Sequence, residues 1–215
     1  MKIMDKSITQ LIKDVDKADS ADDLLEAVET LAEACHEEAI VTLIEVLGYN
    51  NPGAAVAAVD GLIALGKVTV PSLLEQLDGY NYGARAWAIR ALAGIGDPRA
   101  LNTLLDAALN DFSQSVRRSA ARGLGIIKWS EVDAEEVLNK QTQVLETLLQ
   151  VSEDVEWVVR YAAVVGLQSL SINTKSPKIS QLATESLTRI IAEDSEITIQ
   201  ARAKFALNRL LQDQV

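Results

Sequence analysis

Residues 77–98 read LDGYNYGARAWAIRALAGIGDP, and this stretch decides the fold of the chain. Its second half predicts one helix, because small or apolar side chains recur on a single stripe at helical spacing. The stripe consists of Ala84, Ala88, Leu92 and Ile95. Gly94 and Gly96, followed by Pro98, predict the end of this helix, since glycine accepts left-handed backbone angles and proline cannot continue a helix.

The opposite side of the predicted helix carries an unusual pair of side chains. Trp87 and Arg90 are three residues apart and face away from the apolar stripe. A loop that contains Tyr80 and Tyr82 precedes them. Helix packing and solubility require neither a tryptophan nor an arginine on an outer face, so these four residues are candidates for ligand contact.

Similar helices occur on both sides of this one, and a leucine near the end of each marks the repeat. The marker leucines are Leu31, Leu62, Leu92, Leu124, Leu167 and Leu207. A partner helix is predicted before each, and helix pairs that recur every 20–50 residues or so indicate an α-solenoid. The longest step, between the fourth and fifth leucines, contains an insert at 129–140.

The repeats predict an all-α chain with the architecture of an α-solenoid, a superhelix of about five to six helix pairs. Residues 1–215 are expected to form a single domain, because this length buries a sufficient core as one repeat array. Residues 1–20 are interpreted as a capping helix or as a partner-binding arm.

Composition excludes several function classes. A net charge of −11 argues against a nucleic-acid partner, because phosphate binding needs a basic surface. No apolar run approaches the roughly 20 residues of a membrane-spanning helix, and the first ten residues, MKIMDKSITQ, lack the apolar region of a secretion signal. We therefore expect a cytoplasmic protein with no membrane span.

The reactive side chains are few. One cysteine and one histidine exclude an internal disulfide and any metal site built from several such ligands, so no metal is expected. Cys35 follows Leu31 by four residues and is predicted to lie in the core, with His36 on the surface. Consecutive helical residues project about 100° apart, so these two do not form a nucleophile–base pair. The sequence contains no other evident catalytic constellation.

Counting back from each marker leucine assigns the helix faces. Positions −8, −4 and 0 share one face, which we predict to be core. Position −2 lies about 200° away from position −4 and is predicted to point outward. This outward position holds Asp60, Arg90, Arg122 and Val165. Second helices line the concave wall of a solenoid, so Arg90 and Arg122 are expected in adjacent rows there, with Trp87 on the same face.

A second set of arginines recurs in register with aspartates. The arginines, at position −7, are Arg85, Arg117 and Arg160, and the aspartates, 13 or 14 residues before the same leucines, are Asp78, Asp111 and Asp154. This pattern favours a ladder of ion pairs that ties consecutive repeats together. Contact with a ligand is the alternative, because the planar guanidinium with its several donors suits both tasks.

Three segments carry a resemblance to a known family. They are LGYNNPGAAVAAVDGLIALG (47–66), LLEQLDGYNYGARAWAIRALAGIGDPRAL (73–101) and SVRRSAARGLG (115–125). The chain resembles the phycobilin lyase family with HEAT-like repeats, and within it the F-type subunits of E/F-type phycocyanobilin lyases. The resemblance implies HEAT-like helix pairs and a heterodimer with an E-type lyase subunit. It also implies attachment, and in some cases detachment, of phycocyanobilin at a cysteine of the phycocyanin α subunit through a thioether bond.

The candidate residues suit this chemistry. The acceptor cysteine is the nucleophile and phycocyanobilin is the substrate, so the lyase needs no nucleophile, and no cofactor is expected. Arg90 and Arg122 are expected to bind the two propionates. The remaining predicted bilin contacts are Tyr80, Tyr82, Trp87 and Arg85. Asp60, one row from Arg90, is predicted to help protonate the bilin.

Two alternatives remain open. Relatives in this family act in phycobilisome degradation and bind bilin proteins without a subunit partner, and many helical solenoids are non-catalytic interaction scaffolds. Lyase-isomerase relatives carry an adjacent His-Cys pair, whereas this chain has Cys35-His36 in the reverse order and outside the matching segments. Isomerase activity is therefore not expected.

Overall fold

The computed structural model describes residues 6–77 and 82–212. Within these ranges the regular structure is helical and contains no strand. The chain divides into two compact units, residues 1–95 and 96–215, and each is described by itself. The single domain over 1–215 stays a prediction.

The first unit is built of helix pairs. Its helices are α1 (Ile8–Asp16), α2 (Ala21–Glu33), α3 (Ile40–Val46), α4 (Pro52–Leu65), α5 (Val70–Gln76) and α6 (Tyr82–Ile95). α3 packs on α4 and α5 on α6, and the second helices α2, α4 and α6 pack successively side by side. α1 lies against α2 and buries Leu11 and Val15. Whether residues 1–20 serve as a cap or as a partner arm stays a prediction.

The second unit repeats the same arrangement. Its helices are α7 (Leu101–Asn110), α8 (Gln114–Leu124), α9 (Ala134–Val151), α10 (Trp157–Asn173), α11 (Pro177–Glu193) and α12 (Ile197–Gln212). Each odd-numbered helix packs on the next one, α8, α10 and α12 pack successively, and so do α7, α9 and α11. Two layers of helices stacked in this way confirm the predicted all-α solenoid of helix-pair repeats.

The predicted core face is confirmed. Ala84, Ala88 and Leu92 of α6 are fully buried, and five of the six marker leucines are fully buried as well. Leu207 is half-buried, because α12 belongs to the last helix pair of the series. The insert at 129–140 forms a 3-10 turn at Trp129–Glu131 and the first turns of α9.

Glycines allow the second helices to approach closely. A Cβ atom on Gly61 of α4 would lie 2.7 Å from the Cβ of Ala32 on α2. A Cβ atom on Gly166 of α10 would lie 2.6 Å from the carbonyl oxygen of Ala121 on α8. Both glycines directly precede a marker leucine, so the close contacts recur in register with the repeat.

The apolar run 52–76 is the one candidate for a membrane span in the described residues. It has 25 residues, an 18-residue window within it has a mean hydropathy of 1.6, and by length and composition alone it is apolar enough to cross a membrane. They form two helices separated at Gly66, where φ is 72°, and the longer one, α4, has 14 residues. Neither helix reaches the roughly 20 residues of a span. Core helices meet the same composition test, so the run is a weak indication of a span.

Cys35 is also placed differently from the prediction. It is exposed, not buried, and its φ of 46° places it in the left-handed region just after α2. Counting four residues on from Leu31 assumed a continuous helix, and the helix ends before that position. His36 is exposed as predicted, and its Nδ1 accepts a hydrogen bond from the backbone N–H of Glu38.

The arginine–aspartate ladder is confirmed in the second unit. Arg117 makes two hydrogen bonds to the Asp154 carboxylate, Nε to Oδ2 at 2.7 Å and Nη2 to Oδ1 at 3.1 Å. Arg160 makes the same two bonds to Asp194, at 2.9 and 3.1 Å. Each arginine therefore holds the aspartate of the following repeat, one step further along the chain than the aspartate counted in its own repeat. Asp78 lies outside the described residues.

Each arginine of the ladder also holds its own repeat. Arg117 Nη1 donates to the carbonyl of Asp111 at 2.8 Å, and Arg160 Nη1 donates to the carbonyl of Asp154 at 2.9 Å. Asp154 and Asp194 in turn accept the N–H two residues on, at 2.8 Å in both loops. One guanidinium thus fixes two consecutive turns and the start of a helix.

These contacts shift pKa values. Hydrogen bonds from Arg160 lower the pKa of Asp194, and they outweigh the burial that would raise it. Burial would raise the pKa of Asp154, but the hydrogen bonds from Arg117 and from the Glu156 N–H lower it on balance. Lowered carboxyl pKa values mean that the ladder stabilises the fold while both aspartates are ionised.

We expect Arg160→Leu to lower the free energy of unfolding by about 2–4 kcal/mol, because it leaves the Asp194 carboxylate largely buried without its cation. The side chains of this pair are 13% and 7% exposed. The matched control is Arg189→Leu, which removes a pair with side chains 49% and 70% exposed and should cost no more than about 0.5 kcal/mol. Urea denaturation measures both variants, and equal losses would contradict the ladder's importance.

The ladder also predicts a dependence on pH. Its contribution is fully present above the unfolded aspartate pKa of about 3.9 and is lost as the pH falls through the lower folded values. Asp194→Asn keeps an acceptor for the Glu196 N–H but cannot ionise. The difference in unfolding free energy between the wild type and this variant should therefore shrink between pH 5 and pH 2, roughly. A difference that stays constant over this range would show that the ion pair contributes nothing.

Candidate functional site

The outward face of the second helices carries the predicted charged residues. Asp60 in α4, Arg90 in α6 and Arg122 in α8 are all exposed, and Val165 is half-buried. The register counted from the marker leucines therefore placed these side chains correctly on the solvent side. Asp60 and Arg90 lie on neighbouring helices of the first unit, because α4 packs against α6.

In the first unit, an arginine stacks on a tryptophan. The Arg90 Cζ atom lies 5.3 Å from the centroid of the half-buried Trp87 ring, within the range of a cation–π contact. Arg90 forms no ion pair with a described residue, so the edge of its guanidinium remains available to an anion. Tyr82 begins α6 and is 67% exposed. Tyr80 lies outside the described residues.

Arg85 occupies the ladder position of α6 and is half-buried. Its counterparts Arg117 and Arg160 use their guanidinium groups to connect repeats. A bilin contact by Arg85 stays a prediction, and its position in the series favours the structural alternative.

In the second unit, Arg122 has a cationic neighbour that sequence analysis missed. Burial lowers the pKa of Arg202, and the positive charge of Arg122 lowers it further, against the opposing influence of Tyr161. Arg202 Nη2 donates to Gln168 Oε1 at 2.7 Å. Its Nη1 atom is buried and has no hydrogen-bond partner among the described residues.

Aromatic rings flank this second arginine. The Arg202 Cζ atom lies 5.8 Å from the ring centroid of Tyr161 and 5.4 Å from that of Phe205. No carboxylate of the described residues forms an ion pair with Arg122 or Arg202. Two guanidinium groups without a carboxylate partner, one of them beside aromatic rings, can bind a carboxylate on a planar ligand.

A spacing in the sequence could have identified Arg202. It precedes Phe205 by three residues, as Trp87 precedes Arg90, so both helices place an arginine and an aromatic residue on one face. Arg202 stands five residues before its marker leucine, outside the −2 and −7 rows that hold the predicted arginines.

The predicted meeting of Trp87, Arg90 and Arg122 in one hollow joins residues of the two units, and it stays a prediction. Within each unit the structure brings an arginine into contact with an aromatic ring. Over residues 6–77 and 82–212, no group of three or more histidine, cysteine or acidic side chains is placed to hold a metal ion.

Arg202 is expected to cost stability. Arg202→Met should leave the free energy of unfolding unchanged or increase it, because the half-buried guanidinium loses hydration without gaining a carboxylate. Arg160→Met, at a ladder position, should lower it by about 2–4 kcal/mol. Urea denaturation of both variants tests the contrast, and a similar loss for Arg202→Met would assign that residue to the framework.

Comparisons with known proteins agree with this architecture. The HEAT repeats family model matches residues 70–168. The chain is 52% identical over 212 residues to the phycocyanobilin lyase subunit beta of Pseudanabaena tenuis, covering 97% of this chain and 75% of that protein. It is 47% identical over 208 residues to the phycocyanin alpha phycocyanobilin lyase CpcF of Synechocystis sp., covering 97% of this chain and 96% of that protein.

A solved structure gives the same result. In the complex of CpcE and CpcF of phycocyanin lyase from Nostoc sp., one chain is 49% identical to this one, with a TM-score of 0.74, and the match covers 80% of this chain and 99% of that chain. The resemblance seen in three segments thus extends over nearly the whole chain. The chain belongs to the family of HEAT-repeat phycocyanobilin lyase β subunits.

Proposed function

We propose that this chain is the F-type, or β, subunit of a phycocyanobilin lyase that acts in the cytoplasm as a heterodimer with an E-type subunit. The lyase attaches phycocyanobilin to a cysteine of the phycocyanin α subunit, and in some cases detaches it. The observation that carries this proposal is an identity of 47–52% with lyase β subunits over 97% of the chain.

The reaction is an addition and needs no cofactor. The sulfur of the acceptor cysteine attacks the ethylidene carbon of the bilin and forms the carbon–sulfur bond. The electron pair of the carbon–carbon double bond takes up a proton, so no group leaves and nothing is oxidised or reduced. The lyase therefore has to bind and orient its two substrates and to exclude water from the reacting atoms.

The exposed arginines suit the two propionates of the bilin. Arg90, stacked on Trp87, is one candidate contact, and Arg122, next to Arg202, is the other. Neither Arg90 nor Arg122 is engaged by a carboxylate of the described residues, so both retain their donors for a ligand. The aromatic side chains of Tyr80, Tyr82 and Trp87 are proposed to contact the pyrrole rings, with Arg85 as a further contact.

Asp60 is proposed to help protonate the bilin. It is exposed on α4, the neighbour of the helix that carries Arg90. A carboxylate at this place stabilises positive charge on the pyrrole nitrogens, while the arginine holds a propionate. Asp60 thus provides a negative charge for the pyrrole nitrogens, and Arg90 provides a positive charge for the propionate.

Replacement of both Arg90 and Arg122 with alanine is expected to slow bilin transfer at least about tenfold, because each loses a charge-assisted contact. The assay combines the chain with the E-type subunit, apo-phycocyanin α and phycocyanobilin, and follows the covalent, zinc-fluorescent product. Arg118→Ala, on an exposed arginine of α8, is the control and should transfer at the wild-type rate. Circular dichroism should show unchanged helicity in all variants.

The outcomes separate the possible functions. A covalent product that requires both lyase chains supports the lyase. Binding of bilin proteins by the chain alone, without a covalent product, would indicate a factor in phycobilisome degradation. No response to the bilin would leave an interaction scaffold. Transfer at the wild-type rate by the double variant would remove Arg90 and Arg122 from the site.

A further inference from the structure

A large groove lies in the second unit, and none of the arginines discussed above lines it. Its volume is about 910 Å³. The 3-10 turn at Trp129–Glu131 and the first half of α9 form one side, and residues 173–176, which begin at the last residue of α10, form the other. The insert at 129–140 thus has a structural consequence, because it builds a concave surface that the shorter repeats do not have the residues to form.

The interior of the groove is apolar. Ile127 and Trp129 are buried in its wall, whereas Ile126 and Leu138 are 41% and 57% exposed at the groove. Large apolar side chains that line a concave surface and remain open to water are typical of a ligand site. The volume falls within the roughly 300–1,000 Å³ of such sites.

The charge of the groove is opposite to that of the chain. Lys128 and Lys175 line it from two different segments, and neither ammonium group forms an ion pair or hydrogen bond with a described residue. No lining residue is acidic, although the chain contains 31 aspartates and glutamates. The groove therefore favours a ligand with negative charges at two places.

A buried donor also belongs to this groove. The indole N–H of Trp129 is buried without an acceptor among residues 6–77 and 82–212. Gln141 lines the groove as well, and its Oε1 accepts a hydrogen bond from Thr174 Oγ1 at 2.8 Å. Because this bond occupies the oxygen, the amide nitrogen, which donates to no described residue, is left for a ligand. The groove therefore combines unpaired donors and cations with an apolar wall.

We infer that this groove binds an open-chain tetrapyrrole dicarboxylate, which the lyase holds there before attachment. The apolar pyrrole rings lie against Trp129 and Leu138, and the two propionates pair with Lys128 and Lys175. A lactam carbonyl of the ligand accepts the amide hydrogen bond from Gln141. The choice of a tetrapyrrole among apolar dicarboxylates rests on the proposed function. The groove is a second place for the bilin, built by residues other than Arg90 and Arg122.

The test uses the full chain with Trp87→Phe and Trp157→Phe, so that Trp129 is the remaining tryptophan. Titration with phycocyanobilin should quench Trp129 fluorescence and induce visible circular dichroism in the bilin. Adding Lys128→Glu and Lys175→Glu should weaken binding at least about tenfold, because two attractions become repulsions. The bilin dimethyl ester lacks the free carboxylates. It should bind the chain that retains both lysines about as weakly as phycocyanobilin binds the chain with both lysines reversed.

Lys204→Glu is the matched control, since Lys204 is exposed and does not line the groove. It should leave the dissociation constant unchanged. A dissociation constant unaltered by the double reversal would overturn the inference. So would a double variant that binds the bilin normally but no longer associates with the E-type subunit, because the groove would then be a partner contact. Far-UV circular dichroism verifies folding, which two exposed lysines should not affect.

The attachment assay distinguishes this inference from the proposed function. If the wild-type chain with its E-type subunit yields no covalent product but the groove variants lose bilin binding, the proposed function fails and the groove stands. If attachment proceeds and the groove variants bind the bilin as the wild type does, the groove fails and the lyase stands.

Discussion

The second unit depends on one repeated contact, a guanidinium that holds the aspartate of the next repeat and a carbonyl of its own. Arg117 and Arg160 each make this set of bonds, with both partners largely removed from water. A buried charge without its partner costs several kcal/mol, so each pair permits one spacing between neighbouring turns. Packing between helices alone tolerates sliding, whereas a bidentate ion pair does not. The ladder therefore fixes the register in which α8, α10 and α12 present their outer faces.

The different roles of the arginines follow from this register. Position −7 faces the turns and is used by the ladder, while position −2 faces solvent and carries Arg122. Arg202 stands between these two rows and satisfies neither role, since it has no carboxylate partner and one of its nitrogens is buried without an acceptor. Arg202 connects α12 to α10 only through Gln168 and the Tyr161 ring, which are neutral, so its charge is left for a ligand.

The sequence predicts the placement of side chains that a regular helical period determines. Its predictions are wrong where a helix ends. The marker leucines, the buried alanine face and the outward position of Arg90 all follow from 3.6 residues per turn, and the structure confirms them. Cys35 was placed wrongly because α2 stops before it, which a count of four residues cannot show. Arg202 and the groove could not be predicted because side chains distant in sequence surround them, from three helices around Arg202 and from two segments at the groove. The spacing between repeats predicts which face of a helix a residue occupies, but it does not predict which side chains of other segments contact that face.

Unpaired cations on an acidic chain mark its surfaces for anions. The chain carries 20 lysines and arginines against 31 acidic residues, so a carboxylate is available to almost any cation at little cost. Arg90, Arg122, Lys128 and Lys175 nevertheless form no ion pair with a described residue, although Lys128 is close enough to Asp97 to help lower the pKa of that carboxyl. Cations without a paired carboxylate raise the local potential, which favours an anion that the net charge of −11 would otherwise repel. A lyase whose substrate bears two propionates needs this arrangement, because its own net charge opposes the encounter.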